Sequence, residues 1–590
     1  MPTRVLDAFE RTARAGGSTP ALRRKLSIMW DTISWAEYHR DVRLAGRALI
    51  ALGVSPGEHV TIIGYNCPEW FIADIGAIAA GAIPAGIYTT NTAEQCQYVA
   101  HHCEARVAFV ENAEQLAKFR AVREQLPHLL AIVVMHGEPE NGDALSWKSF
   151  LALGETVADE RLDARIAAQQ LDDVCTLIYT SGTTGVPKAV MLTHRNISWI
   201  VEQGAALAGI KAGEVVLSYL PLSHIAEQLF SLHNNVMLGT CVWFAESLDT
   251  LGEALRDARP HHFLAVPRVW EKIQARMEAV GAQSPRVRRL IAKWARRVGL
   301  AGGYAEQRGA RRPMFYALAN RVVYSKVRAS LGLDRARTLI TGAAPISLHT
   351  QEFFLSLGLP ICEVYGMSES TGVTTASTPT RYRTGRAGFV LPGAEVRIAD
   401  DGEICIRGPH VFKGYHKDAT ATAEMIDGDG WLHSGDIGEL DHEGFLKITD
   451  RKKELIITAG GENIAPQLVE GQLKSIGVVS QAVVIGDRRR YLSVLLTLDP
   501  EKIPAIASLA GSPARTSEEA GQCARFSAYL QREIDAVNQR LARVQTVKRF
   551  AVLPGELSVD GGELTPTMKL RRKMISEKYA KEIERLYAEV

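Results

Sequence analysis

The stretch Tyr179-Thr180-Ser181-Gly182-Thr183-Thr184-Gly185-Val186-Pro187-Lys188 is a hydroxyl- and glycine-rich loop set between two short apolar runs. Val174 to Tyr179 before it and Ala189 to Leu192 after it have the length and apolar content of buried strands. Between them the chain must turn sharply. Gly182 and Gly185 permit unusual dihedrals and close backbone approach, while Thr180, Ser181, Thr183, Thr184 and Lys188 offer hydroxyls, amides and a positive charge to an anion. This set of groups suits a nucleotide triphosphate. A Ser/Thr/Gly turn ending a plain hairpin has a similar composition, and Lys188 is what favours the anion. The spacing is not that of a Walker loop, because Lys188 is neither preceded by Gly nor followed by Ser or Thr, so γ-phosphoryl transfer is not the reaction it suggests.

The rest of the chain has room for such a site. At 590 residues with 46% hydrophobic content, it is long enough for one large core and a smaller one. A formal net charge of +2 gives no whole-molecule field that would favour nucleic acid as a partner. The eight cysteines are scattered, without a C-x-x-C pair or a His at zinc-ligand spacing, and read as reduced core residues. The N-terminus lacks the basic-then-apolar layout of a secretory signal, so the expected compartment is the cytoplasm. The most apolar stretch, Trp70 to Tyr88, contains Asp74, Pro84 and several glycines. It reads as a buried helix leading into a strand and not as a membrane span.

Short apolar runs alternate with helical patterns from residue 30 onward: Val60 to Ile63, a helix from Pro68 to Ala80, Ala82 to Ile87, Val107 to Val110 and Ala131 to Val134. This predicts an α/β fold with mostly buried strands. Val215 to Leu220 reads as another strand, and it runs into Pro221-Leu222-Ser223-His224. A strand end is where α/β sheets bind ligands, which makes His224 a candidate as well as an ordinary structural histidine. Arg337 to Pro345 reads as a strand ending in Gly342, Ala343 and Ala344, small enough for a flat ring to lie against the backbone. Residues 387–449 read as strand-rich. From Trp270 to Arg328 basic residues far outnumber acids, with Trp294, Phe315, Tyr316 and Tyr324 interleaved. This predicts either a solvated helical face or a basic amphipathic region that meets an anionic membrane surface.

Together with several elements nearer the C-terminus, the Tyr179–Lys188 loop resembles the signature of the acyl-adenylate-forming superfamily, which includes acyl-CoA synthetases, nonribosomal adenylation domains and beetle luciferases. Tyr365-Gly366-Met367-Ser368-Glu369 is similar to the family's Tyr-Gly-x-Thr-Glu element, with Ser keeping the hydroxyl. The resemblance implies that Gly342, Ala343 and Ala344 border the adenine, Tyr365 stacks on it with Gly366 beside it, and Ser368 contacts phosphate. Glu369 and Thr180 would hold Mg²⁺, a hard cation that takes oxygen ligands. Trp431-Leu432-His433-Ser434-Gly435-Asp436 matches the segment whose Asp binds the ribose hydroxyls, and a carboxylate is a sensible acceptor for two vicinal hydroxyls. Arg451 is implied as a second ribose contact and Lys453 as the pivot. Gly461 falls near the glycine that approaches the CoA arm. Lys569, in Thr565-Pro566-Thr567-Met568-Lys569, matches the adenylation lysine in a form that resembles long-chain acyl-CoA synthetases.

The resemblance implies a large N-terminal α/β domain (1–452) with mixed sheets and a β-rich part, binding ATP and the acyl group. A small mobile α+β lid (453–590) would complete the chain. It further implies an AMP-forming ligase that uses ATP, Mg²⁺ and CoA, with Lys569 and Lys188 catalytic and His224 in the acyl pocket. The acid expected is a long-chain fatty acid, as in the long-chain and bubblegum-type enzymes. A ligase that loads a separate carrier protein shares these residues, as does a light-emitting oxygenase. A silent binding module would have lost Lys188, Glu369, Asp436 or Lys569, and all four are present. A membrane-associated acyl-binding scaffold accounts for the basic region alone.

Overall fold

The computed structural model describes residues 3–26, 29–140, 142–180, 186–459, 462–559, 561–565 and 569–588. Two large sheets and two smaller ones carry the architecture. The first has eight strands, in the order Gly414–Tyr415, Lys188–Thr193, Val174–Thr180, Ile83–Ile87, His59–Ile63, Val107–Val110, Ala131–Val134 and Leu145–Ser146. It is parallel from Val174–Thr180 to Leu145–Ser146 and antiparallel at the edge that includes Lys188–Thr193. The second sheet has nine strands. Its parallel centre runs Cys241–Phe244, Val215–Ser218, His262–Leu264, Thr338–Thr341 and Ile361–Tyr365. Buried Val, Ile, Leu and Phe dominate these short strands because both faces of a parallel sheet are covered by helices. The fold is therefore the α/β arrangement that the alternating pattern predicts, with the mixed sheets that the resemblance implies.

The helix Pro68–Ala79 shows why its stretch is so apolar: all twelve residues are buried. Proline occupies its first turn, where no backbone donor is missed, and Gly81 follows in the left-handed region at φ 78°. Asp74 lies inside this packing with both carboxylate oxygens unpartnered, and burial holds its pKa well above the carboxylate range. Seven of the eight cysteines are buried and all eight are unpaired.

A four-stranded antiparallel sheet, Glu395–Ile398, Glu403–Arg407, Leu432–Leu440 and Leu446–Arg451, forms the β-rich part. The C-terminal region is built on a three-stranded sheet, Val479–Ile485, Leu492–Leu498 and Val547–Val552, with its own apolar core around Val469, Val494, Leu496, Phe526 and Leu530. The last strand pairs parallel to its neighbour. It is absent from the sequence-based expectation because Lys548 and Arg549 interrupt its apolar pattern. One expected element is shorter in the structure. The strand from Val215 ends at Ser218, where Asn66 donates to the carbonyl of Leu220 (2.7 Å) and draws the chain out of the sheet. The helix Ala524–Asn538 ends on Asn538, whose side chain brackets both backbone groups of Val547 at 2.8 and 2.9 Å.

The Trp270 to Arg328 region is mostly helical, in Pro267–Ala282, Arg286–Gln307 and shorter helical segments from Tyr316 to Leu331, with residues 308–315 forming an irregular connection. Its aromatics are not uniformly surface groups. Tyr324 is fully buried and donates to the carbonyl of Ala295 at 2.6 Å, so it anchors the helix and does not face an external partner.

Candidate active site

The carboxyl ends of parallel strands bring the site together, which is where open α/β sheets place ligands. Thr180 ends Val174–Thr180, Gly342 follows Thr338–Thr341, and Tyr365 ends Ile361–Tyr365. His224 follows Val215–Ser218. All four border one continuous cavity of 4890 Å³, together with Ala343, Ala344, Gly366, Ser368, Glu369, Asp436, Arg451, Lys453 and Lys569. Ser181, Gly182, Thr183, Thr184, Gly185 and Gly461 lie outside the described residues.

The turn that follows Thr338–Thr341 is tight. A Cβ on Gly342 would come within 2.8 Å of Val364 Cγ2, and Ala343 adopts a left-handed φ of 67°. A Cβ on Gly366 would sit 2.5 Å from the carbonyl oxygen of Gly372, so only glycine fits after Tyr365.

Asp436 and Arg451 face each other across an antiparallel ladder. Arg451 Nε donates to Asp436 Oδ1 (3.2 Å) and the Tyr365 hydroxyl donates to Oδ2 (2.9 Å). The backbone N–H of Asp436 is taken by Ser434 Oγ at 3.1 Å. Burial raises the Asp436 pKa, while Arg451, Tyr365 and Lys569 work against that rise. The result is a fixed acceptor on the cavity wall.

Glu369 stands in a single turn of 3₁₀ helix, Ser368–Ser370. Its Oε1 accepts from the Tyr415 hydroxyl at 2.7 Å, and burial raises its pKa. Lys188, paired with Thr180 across the hairpin, holds its ammonium 5.0 Å from the centre of the Tyr415 ring. Tyr415 thus ties the lysine to the carboxylate, a cation–π contact on one side and a hydrogen bond on the other. The residues before it gave no sign of this role, since its partners are remote in sequence. The signal that could have found it is a Gly-Tyr pair whose short strand closes the sheet edge beside Lys188.

The donors near Glu369 fit a hard divalent cation. The Glu369 carboxylate is buried and anionic when unprotonated. The Thr180 hydroxyl donates only a long 3.4 Å bond to the carbonyl of Lys188, which leaves its lone pairs to face the cavity.

His224 caps the short helix Ile225–Glu227 by accepting the Ala226 N–H at 3.2 Å. Burial first, then the charge of Lys569, push its imidazole down to about 3, so it is neutral at physiological pH. Beneath it, Asn66 Nδ2 donates to Ser218 Oγ (2.8 Å), which donates to Glu227 Oε1 (2.7 Å). Burial, opposed by the Ser218 and Ser231 hydroxyls, lifts Glu227 to about 7. Neither Asn66 nor Glu227 carries a sequence motif that marks it.

Lys569 reaches this cavity from the C-terminal region. Its backbone N–H donates to Thr565 Oγ1 at 3.0 Å, and its carbonyl accepts from Thr565 N–H at 2.8 Å, which fixes the Lys569 backbone. Burial first, then the guanidinium of Arg451, pull the ammonium down to about 8, while Asp436, Glu369 and Glu454 resist. Arg268 and Glu271 clasp the C-terminal region from the Pro267–Ala282 helix. Arg268 Nη2 donates to Ser480 Oγ (3.0 Å) and Glu556 Oε1 (3.1 Å), and Lys474 pairs with Glu271 (3.2 Å). Lys453 is exposed in the 3₁₀ turn Lys452–Glu454 that comes directly after Leu446–Arg451.

The cavity bordered by Thr180, Tyr365, Asp436 and Lys569 suits an enzyme site, and comparison with known proteins gives its class: the chain belongs to the AMP-binding enzyme family. That family's model matches residues 9–416, and the model of its C-terminal domain matches 453–590. Among curated relatives, the long-chain-fatty-acid–CoA ligase ACSBG2 of Xenopus laevis is 42% identical over 619 aligned residues, covering 99% of this chain and 84% of the relative. The ligase ACSBG1 of Mus musculus is 40% identical, covering 100% of this chain and 86% of the relative. Similar solved folds include the adenylation domain of a carboxylate reductase from Mycobacterium chelonae, with a TM-score of 0.78 at 21% identity over 100% of this chain and 91% of that one. The anthranilate CoA ligase AuaEII, solved with anthranoyl-AMP, gives a TM-score of 0.75 at 19% identity over 98% and 97% of the two chains.

Proposed function

We propose that the protein is an AMP-forming long-chain fatty acid–CoA ligase with two units, 1–452 and 453–590, that turn about a pivot at Lys453. The observation that carries this reading is Lys569. A lysine of the C-terminal unit stands in the cavity walled by Asp436, Glu369 and His224, in a chain about 40% identical along its length to ligases of that name.

In this reading the adenine lies between the Gly342–Ala343–Ala344 turn and Tyr365. Asp436 and Arg451 take the ribose hydroxyls. The phosphates meet the 180–185 loop, Ser368 and Lys188. Glu369 and Thr180 would hold Mg²⁺, which supplies positive charge to the phosphate oxygens when bound. A fatty carboxylate oxygen attacks the α-phosphorus of ATP, an O–P bond forms, and the bond to pyrophosphate breaks. Both reactants are anions, so Lys188 and Lys569 offset their repulsion and stabilise the charge developing at phosphorus. Neutral His224 contributes an apolar edge to the acyl wall without attracting the carboxylate away from phosphorus. In the second half-reaction the CoA sulfur, having lost its proton, attacks the acyl carbon, and the C–O bond to AMP breaks. CoA needs room beside the acyl-adenylate, so the C-terminal unit turns, withdraws Lys569 and brings the Gly461 segment toward the CoA arm. We also place the enzyme in the cytoplasm, working at a membrane face. No described helix is long and apolar enough to cross a membrane.

The test is Lys569→Ala, assayed separately in the two half-reactions. Loss of one preorganised donor should cost about 2.7–4 kcal/mol, or ~10²–10³ in the rate of pyrophosphate release, and leave thioester formation from preformed acyl-AMP intact. Equal loss in both steps would sink the assignment. Stalled acyl-adenylate that CoA does not discharge would transfer the acceptor role to a carrier protein.

A further inference from the structure

The helix Arg286–Gln307 is anchored from Trp294 onward. There Ala295, Gly299, Gly302 and Gly303 are buried, and an added Cβ on Gly299 or Gly303 would collide with Ser356 or Leu355 at 2.0 and 2.4 Å. Its first turns project past this contact. Val287, Leu290 and Ile291, spaced to share one face, are 67%, 69% and 40% exposed. The returning stretch leaves Met314, Phe315, Leu318 and Val322 exposed as well. Between residues 286 and 328 the sequence has twelve Arg and Lys against a single acid, Glu306, which is paired to Arg312. Arg286, Arg288, Arg289, Lys293, Arg297 and Arg321 are all exposed, and none has a carboxylate partner among the described residues. A merely solvated helix would explain these charges but not seven large apolar side chains left in water beside them. A nucleic acid would neutralise the charge and leave the apolar groups wet. An anionic bilayer satisfies both at once.

The surface also adjoins the active-site cavity. Arg289, Ala292, Arg296 and Leu300 line it from this helix, and Ile273 and Met277 line it from Pro267–Ala282. We propose that the exposed end of Arg286–Gln307 and the 311–322 stretch form a docking surface for an anionic lipid bilayer at the mouth of the acyl channel. The fatty acid then passes between the two helices from lipid to the site without crossing water. The entrance rests on the fatty-acid ligase reading; the docking surface does not.

The experiment is co-sedimentation of the full chain with vesicles of phosphatidylcholine alone or mixed with phosphatidylserine, over a range of salt. The variants Arg286→Glu/Arg288→Glu and Leu290→Ser/Phe315→Ser alter side chains that do not border the cavity. The expected result is binding to the mixed vesicles that weakens with salt. At about fivefold per charge, the charge-reversal pair should lower affinity more than tenfold, and the apolar pair should lower the salt-resistant remainder. Both variants should turn over a short, water-soluble acid at the parental rate and lose rate on a long acid presented in mixed vesicles. Equal binding to both vesicle types, or unchanged binding by both variants, would overturn the surface. Tight binding to duplex DNA that only the charge reversal abolishes, with vesicles ignored, would reassign it to nucleic acid and also overturn it. Parental turnover of vesicle-held acid by a variant that no longer binds vesicles would overturn the entrance. Vesicle binding in the expected pattern by a protein that activates no acid would uphold the surface and defeat the ligase reading.

Discussion

Lys569 stands among four charged groups, Arg451, Asp436, Glu369 and Glu454. With its ammonium held near 8 by burial and by Arg451, the free enzyme begins to lose the charged form as the pH rises through about 8. Because kcat/KM reports the free enzyme, its adenylation value should be flat below that pH and fall about tenfold per unit above it. Bound ATP adds negative charge beside the ammonium and raises its pKa, so the kcat limb should lie at higher pH. Lys569→Arg, whose guanidinium stays charged, should remove the limb at a lower plateau. A limb that survives in the arginine variant would assign it to another group. The sequence made this lysine visible through its motif but did not give its pKa, which depends on Arg451, Asp436 and Glu369 arriving from remote positions.

At the scale of elements, the two-residue strand Gly414–Tyr415 does what the signature loop cannot do alone. By pairing with Lys188–Thr193 it sets a ring against the Lys188 ammonium and a hydroxyl on Glu369. Tyr415→Phe keeps the ring and deletes the hydrogen bond. Its loss to a charged acceptor should cost about 1.5–3 kcal/mol, or about 10- to 100-fold in adenylation kcat/KM, with the unfolding midpoint little changed. An unchanged rate would show that Glu369 is positioned by its backbone alone. Strands such as Val107–Val110 and Ala131–Val134 were legible because burial on both faces makes them continuously apolar. Gly414–Tyr415 and Val547–Val552 were not, because a short edge strand or one bearing Lys548 and Arg549 takes its stability from a neighbour and not from its own pattern.

For the whole molecule, the proposed mechanism makes the position of the C-terminal unit decide which half-reaction is favoured. Arg268, Ser480 and Glu556 hold it where Lys569 enters the cavity, aided by the Lys474–Glu271 pair. If this clasp favours the adenylating arrangement, Arg268→Ala should slow acyl-AMP formation several-fold and leave thioester formation from preformed acyl-AMP equal or faster. Rapid-quench measurement of each half-reaction would decide it, and equal slowing of both would reject the clasp as a selector. By itself the sequence pointed to the family and, through that resemblance, to the proposed roles of the Thr180 to Lys188 loop, the Tyr365–Glu369 element, Asp436, Arg451 and Lys569, and apolar periodicity determined the α/β class. Only the tertiary structure decided how those groups are tuned and joined. Tyr415 reaching Glu369, Asn66 reaching Ser218 beside Glu227, and the exposed end of Arg286–Gln307 beside the cavity all arise from contacts between residues far apart in the chain, and burial and Coulomb forces depend on those distances and not on sequence order.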